Sequence, residues 1–119
     1  MESKKQQQTA RIIQMALGEI FQKEGFNWWK NALVTISGVR LTPDLLTARV
    51  YISIFNASNN AEILNTIQQH LSHIRHLLGQ KIRHKVRRMP ELEFFEDNSL
   101  DEVFKMEQLF DNLKKDNQL

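Results

Sequence analysis

The sequence predicts an α+β fold, and three observations carry that prediction. Residues 9–24 place apolar side chains at three- and four-residue steps, the signature of a helix with one buried face. Residues 46–54 instead alternate apolar and polar, as a half-buried strand does. Two more helical patterns and a further strand pattern follow. At 119 residues, with 41% hydrophobic and 25% charged residues, the chain has the size and composition of one domain around one core.

Taken in order, residues 1–8 are polar and are expected to be a flexible end. In the first helix Ile12, Ile13, Ala16, Leu17, Ile20 and Phe21 form the apolar stripe, and Gly25 stands where a helix stop belongs. Trp28 and Trp29 then fall in a short connection, where they either pack under the loop or stack on a base. Residues 32–41 are β-branched and partly alternating. Leu41-Thr42-Pro43-Asp44 suits a tight turn, since proline pre-sets its backbone angle, so the two strands form an antiparallel hairpin. Arg40, Arg49 and Tyr51 are expected to point outward.

Asn56-Ala57-Ser58-Asn59-Asn60 reads as a loop ending in helix-capping residues. Helical patterns cover residues 61–69 and 72–86, joined near His70-Leu71-Ser72 either continuously or through a kink that Ser72 would cap. Pro90 closes this region, and Glu91-Leu92-Glu93-Phe94-Phe95 reads as a third strand. Ser99-Leu100-Asp101-Glu102 is a capping box opening a last helix to about residue 115. The element order is α-β-β-α-α-β with a C-terminal helix.

Charge is sorted along the chain. Residues 63–90 carry six Lys/Arg and no acid, while residues 91–119 carry three Lys/Arg against nine Asp/Glu. All four histidines lie within His70–Arg88. A surface of this kind suits a polyanion, and nucleic acid is the commonest one of protein size. On a helical projection Leu71, Ile74, Leu77, Leu78, Ile82 and Val86 share an apolar side, opposite His73, His76, Gln80, Arg83, His84 and Arg87. Lys81 and Lys85 flank the apolar side, where their stems can lie along it. The alternatives are a solvated basic face without a partner and an adaptor face for an acidic protein.

Both the element order and specific segments resemble a known family. Helix, hairpin, two helices and a strand is the order of a type II KH fold, a three-stranded sheet with helices packed on one face. Val34-Thr35-Ile36-Ser37-Gly38-Val39, Pro43-Asp44-Leu45 and Ala48-Arg49-Val50-Tyr51-Ile52-Ser53 closely resemble ribosome-binding factor A. So do Ile74-Arg75-His76-Leu77-Leu78-Gly79 through Lys81 and Arg83, and Met89-Pro90-Glu91-Leu92-Glu93-Phe94-Phe95-Glu96-Asp97-Asn98-Ser99-Leu100. The resemblance spans residues 9–113, which are read as the KH-like RNA-binding domain, with 114–119 a flexible end. It departs at His70-Leu71-Ser72, where both small residues of the family's Ala-x-Gly step are replaced, and at Trp28-Trp29-Lys30, where the family often carries Asp-Pro.

The resemblance implies a bacterial factor that binds the 30S ribosomal subunit or its precursor through 16S rRNA. It further implies a role in late subunit maturation, rRNA processing and growth in the cold, without catalytic residues. Small-subunit ribosomal proteins are further possible partners, and the chain is expected to act as a cytoplasmic monomer away from membranes. The expected RNA contacts are Ser72, His73, Arg75, His76, Lys81, Arg83, His84, Lys85, Arg87 and Arg88, with Arg40 from the hairpin. Arg83, Lys85, Arg87 and Arg88 are their expected centre, and imidazoles beside phosphates predict tighter binding at lower pH.

Other chemistries find little support. With no cysteine, thiolate metal sites, disulfides and cysteine nucleophiles are excluded. His70, His73 and His76 spread over about 120° of a helix, too wide to bind one ion, and His73 and His84 stand about 16 Å apart. No phosphate-cradling glycine motif occurs, and Ser53, Ser58, Ser72 and Ser99 are each explained by strand, loop or cap. Neither a metal nor a cofactor is expected. No apolar run approaches the ~18 residues that span a bilayer. The acidic last third is read as a solvated helix face, or as a surface meeting a basic ribosomal protein.

Overall fold

The computed structural model describes residues 2–29 and 31–97. It contains α1 (Lys4–Trp29), β1 (Leu33–Leu41), β2 (Thr47–Phe55), α2 (Asn60–Gln69), α3 (Leu71–Ile82) and β3 (Glu91–Glu96). This is the predicted order up to the third strand; the expected last helix lies outside the described residues. Among the described residues, no helix is long and apolar enough to cross a membrane.

Helix α1 is longer at both ends than its apolar stripe predicts. At the front, Ser3 and Gln6 form a capping box. The Gln6 amide donates to Ser3 Oγ at 3.1 Å, and the Ser3 amide donates to Gln6 Oε1 at 2.7 Å. Gln6 Nε2 also donates to the Leu41 carbonyl at 2.9 Å, which ties this first turn to the end of β1. At the back, Gly25 does not stop the helix. A Cβ at Gly25 would lie 2.6 Å from Trp29 Nε1, so the missing side chain makes room for the indole one turn later. Trp29 is thereby buried against Phe21, with ring centroids 5.1 Å apart. Both tryptophans belong to the last turn of α1 rather than to a connection.

The hairpin forms as predicted. Strands β1 and β2 pair antiparallel from Leu33↔Phe55 to Leu41↔Ala48, with one irregularity between Ile36 and Gly38. The extra residue there is Ser37, whose hydroxyl donates to the Tyr51 carbonyl at 3.1 Å. This bulge shifts the phase of β1, so Val34 and Ile36 face the core before it, and Val39 and Leu41 after it. In the turn the Leu45 amide donates to the Thr42 carbonyl at 2.9 Å, with Pro43 at the second position. Leu45 itself adopts φ 62°.

Strand β3 runs parallel to β2, pairing Thr47↔Glu91 through Ile52↔Glu96, and gives the sheet order β1-β2-β3. A parallel return needs a crossover, which α2 and α3 supply. The three helices cover one sheet face. Val34, Val39, Leu41, Ala48, Val50, Ile52, Ile54 and Leu92 are buried beneath Ile13, Leu17, Ile20, Ile67, Ile74, Leu78 and Ile82. The opposite face presents Thr35, Arg40, Arg49, Glu93 and Phe95 to solvent. Arg40 and Arg49 thus point outward as expected, and half-buried Tyr51 stacks on Phe95 at 5.7 Å.

Candidate nucleic-acid interface

The basic region is built on an interrupted helix. Helix α2 starts at the Asn59 cap, whose Oδ1 accepts from the Ala61 amide at 2.9 Å. It ends at His70, which at φ −99°, ψ 10° is the one residue between α2 and α3. No glycine or left-handed residue makes this break. Instead, His70 directs both its amide (3.1 Å) and ring Nδ1 (2.9 Å) to the Thr66 carbonyl. Since a carbonyl only accepts, Nδ1 carries the proton. The imidazole is further packed on the Trp28 ring at 4.5 Å. Ser72, expected as the cap, lies exposed in the first turn of α3.

Helix α3 stops at Ile82 rather than continuing to residue 86. The chain must leave the helix ahead of Pro90, whose ring disfavours helical geometry at the preceding residue. It must also cross to β3, with Val86 and Met89 packed against the core on the way. The last bonds are the amides of Lys85 and Val86 to the Ile82 carbonyl, at 2.8 and 3.0 Å. Of the expected contacts, Ser72, His73, Arg75, His76 and Lys81 therefore sit on α3, while Arg83, His84, Lys85, Arg87 and Arg88 form the turn beyond it.

Ion pairs divide these cations into two groups. Arg75 Nη1 donates to Glu91 Oε2 at 3.1 Å and lies 3.4 Å from the Pro90 carbonyl oxygen, clamping α3 to the start of β3. Lys81 Nζ meets Glu19 of α1 at 3.0 Å. Arg40 Nε meets Glu2 at 2.8 Å, and this bond raises the guanidinium pKa above its ordinary value. Arg40 also belongs to the open sheet face, so it stands apart from the α3 group. By contrast, Arg83, Lys85, Arg87 and Arg88 are exposed and, among the described residues, have no carboxylate within ion-pair distance. Arg83 Nε donates instead to His84 Nε2 at 3.3 Å. His76 Nε2 lies 3.2 Å from Gln80 Nε2, and His73 stands edge-on to Trp28 at 6.3 Å.

One further cation joins this cluster. Exposed Arg11 of α1 lines a groove of about 540 Å³ together with Lys81 and Lys85. Arg11 lies remote in sequence from the basic span, so only the packing of α1 along α3 reveals it. Arg11, Arg83, Lys85, Arg87 and Arg88 are thus five exposed cations without a carboxylate partner among the described residues, and side chains of this type are the ones that contact phosphates spaced along a backbone.

The ribosome-binding factor A family model matches residues 5–110. Ribosome-binding factor A of Chlorobium chlorochromatii is 41% identical over 114 residues, covering 95% of this chain and 90% of that protein. The Cytophaga hutchinsonii protein is 40% identical over 101 residues, covering 85% of this chain and 76% of its own. The crystal structure of ribosome-binding factor A from Thermus thermophilus superposes with a TM-score of 0.64 at 24% identity, covering 76% of this chain and 94% of that one. A homology model of the Thermus thermophilus factor, fitted into a cryo-EM map of its complex with 30S, gives a TM-score of 0.58 at 26% identity over 73% of this chain and 89% of that one. The fold is that of these factors, and by family model and sequence identity the chain belongs to the ribosome-binding factor A family.

Proposed function

We propose that this protein binds the 30S ribosomal subunit or its precursor through 16S rRNA and assists late 30S maturation, including rRNA processing and growth in the cold. It acts by binding rather than catalysis, as a monomer in the cytoplasm, and neighbouring small-subunit ribosomal proteins complete the contact. The observation that carries the reading is the set of exposed cations at Arg83, Lys85, Arg87 and Arg88, extended by Arg11, with no carboxylate partner among the described residues. Lys81 joins on contact, because an exposed pair such as Lys81–Glu19 is worth at most about 1 kcal/mol and yields to phosphate. Ser72, His73, His76 and His84 border the same surface.

Co-sedimentation with purified small subunits, large subunits and intact ribosomes tests this. The expected result is selective binding to small subunits. With about five phosphate contacts, affinity should drop about 10²-fold between 50 and 200 mM salt. Binding to none of them by a folded protein, with capture of an acidic protein instead, would favour the adaptor reading.

A further inference from the structure

The two adjacent tryptophans have different environments. Trp29 is buried on Gly25 and Phe21 and belongs to the core. Trp28 is only half-buried; it packs on His70 at 4.5 Å and meets Trp29 and His73 edge-on at 5.5 and 6.3 Å. It also lines a cleft of about 450 Å³ between the end of α1, the loop after β2 and the start of α2. The other walls include Asn31, Asn56, Ser58, Asn59 and Glu62.

These walls suit a particular chemistry. Among the described residues, the walls of the cleft include no Lys or Arg. They offer instead an aromatic surface beside carboxamides, which both donate and accept, together with a hydroxyl and a carboxylate. Asn56 is fixed at the rim at φ 60°, with its Nδ2 3.4 Å from the Asn31 carbonyl oxygen. Asn59 is committed to capping α2 and the Asn56 Nδ2 to the Asn31 carbonyl, which leaves the side chains of Asn31, Ser58 and Glu62 and the Asn56 Oδ1 along the walls without a hydrogen-bond partner among the described residues. A flat, polar, uncharged ring with edge donors and acceptors matches this set.

The position matters too. Helix α3 has 12 residues, so the break at His70 lies roughly 18 Å from the basic turn beyond Ile82. His73, near Trp28, and His76 lie on α3 between that break and the basic turn, so a single strand with its phosphates on Arg83–Arg88 would have to span about this distance to reach Trp28.

We propose that the Trp28 cleft takes one unpaired nucleobase, stacked on the indole and held at its edge by Asn31, Asn56 and Glu62. This rests on the RNA-binding reading above and extends it to a base-reading subsite. Because the Glu62 carboxylate only accepts, the favoured bases are those with an exocyclic amino group to donate, adenine and cytosine as well as guanine, over uracil, whose one edge donor, N3–H, stands between two carbonyl oxygens that a carboxylate repels.

The test uses oligoadenylate, oligocytidylate and oligouridylate hexamers at low salt, read by tryptophan fluorescence and direct affinity. The wild type should bind the adenine and cytosine hexamers several-fold more tightly than the uracil hexamer, with quenching. Trp28→Ala should lose roughly 5–100-fold in affinity for oligoadenylate, the range that removal of one stacking partner produces, whereas Trp28→Phe retains most of it. Glu62→Gln, at an exposed position of α2, should erase the base preference without loss of fold, which covers the case of a misfolded Trp28→Ala. Unchanged affinities and preferences in a folded Trp28→Ala or Glu62→Gln protein would overturn the base site. If Arg87→Glu/Arg88→Glu still abolished binding in that case, the RNA reading would stand without it. A wild type that binds neither hexamers nor small subunits would overturn both.

Discussion

The guanidinium of Arg75 bridges two elements, donating to Glu91 at 3.1 Å and lying 3.4 Å from the carbonyl oxygen of Pro90. It holds α3 against the first residues of β3, which gives this cation a structural role. Arg75→Ala should lower stability by about 0.5–1 kcal/mol, a value limited by the pair's exposure. The same change should weaken small-subunit binding far less than Arg87→Ala/Arg88→Ala. Denaturant unfolding and co-sedimentation on the same samples check both halves; a larger binding loss at Arg75 would contradict the division.

Two glycines of α1 should respond to alanine in opposite directions. A Cβ at Gly18 meets nothing within 4 Å, so Gly18→Ala should gain about 0.5–1 kcal/mol from helix propensity and a less free unfolded chain. At Gly25 the new Cβ would lie 2.6 Å from a rigid indole packed on Phe21. Overpacking of this kind costs typically about 1–3 kcal/mol, so Gly25→Ala should be destabilising on balance. Thermal unfolding of the pair decides; stabilisation at Gly25 would mean that the helix does not need this space.

Asp44 links the hairpin turn to pH. Hydrogen bonds from the Thr42 hydroxyl (2.6 Å) and the Leu46 amide (3.0 Å) hold its carboxyl pKa below the ordinary value. A depressed carboxyl pKa stabilises the fold above the unfolded-state pKa of about 3.9, and that stabilisation is lost as pH falls through the folded value. Asp44→Ala should therefore have a lower melting temperature than wild type at pH 7, with the gap closing below about pH 4. A gap that persists unchanged to pH 2 would show that ionisation of Asp44 plays no part.

Much of this architecture was legible in the sequence because the core positions keep strict periods. Val50, Ile52 and Ile54 alternate, and Ile74, Leu78 and Ile82 fall at four-residue steps, so hairpin and crossover could be placed directly. The ends of α1 were not legible. Ser3 and Gln6 cap it within a polar stretch that has no apolar stripe, and Gly25 continues the helix because of Trp29, a contact that composition does not announce. The basic site was half legible for a related reason. The span from residue 63 to 90 is free of acid along the chain but not in space. Glu19 and Glu91 reach Lys81 and Arg75 of the span from 62 and 16 residues away, and Glu2 reaches Arg40, outside it, from 38. Packing thus removed three cations from the free set, and it added Arg11 from α1.

The proposed grip of the turn beyond α3 on ribosomal RNA phosphates is read by reversing charge at Arg83, Lys85, Arg87 and Arg88 together and measuring affinity for purified small subunits, with circular dichroism as the check on folding. All four side chains are exposed, so the spectrum should not change, while affinity should fall at least about 100-fold as phosphate contacts turn into repulsions. Undiminished binding by a variant with the wild-type spectrum would contradict the account.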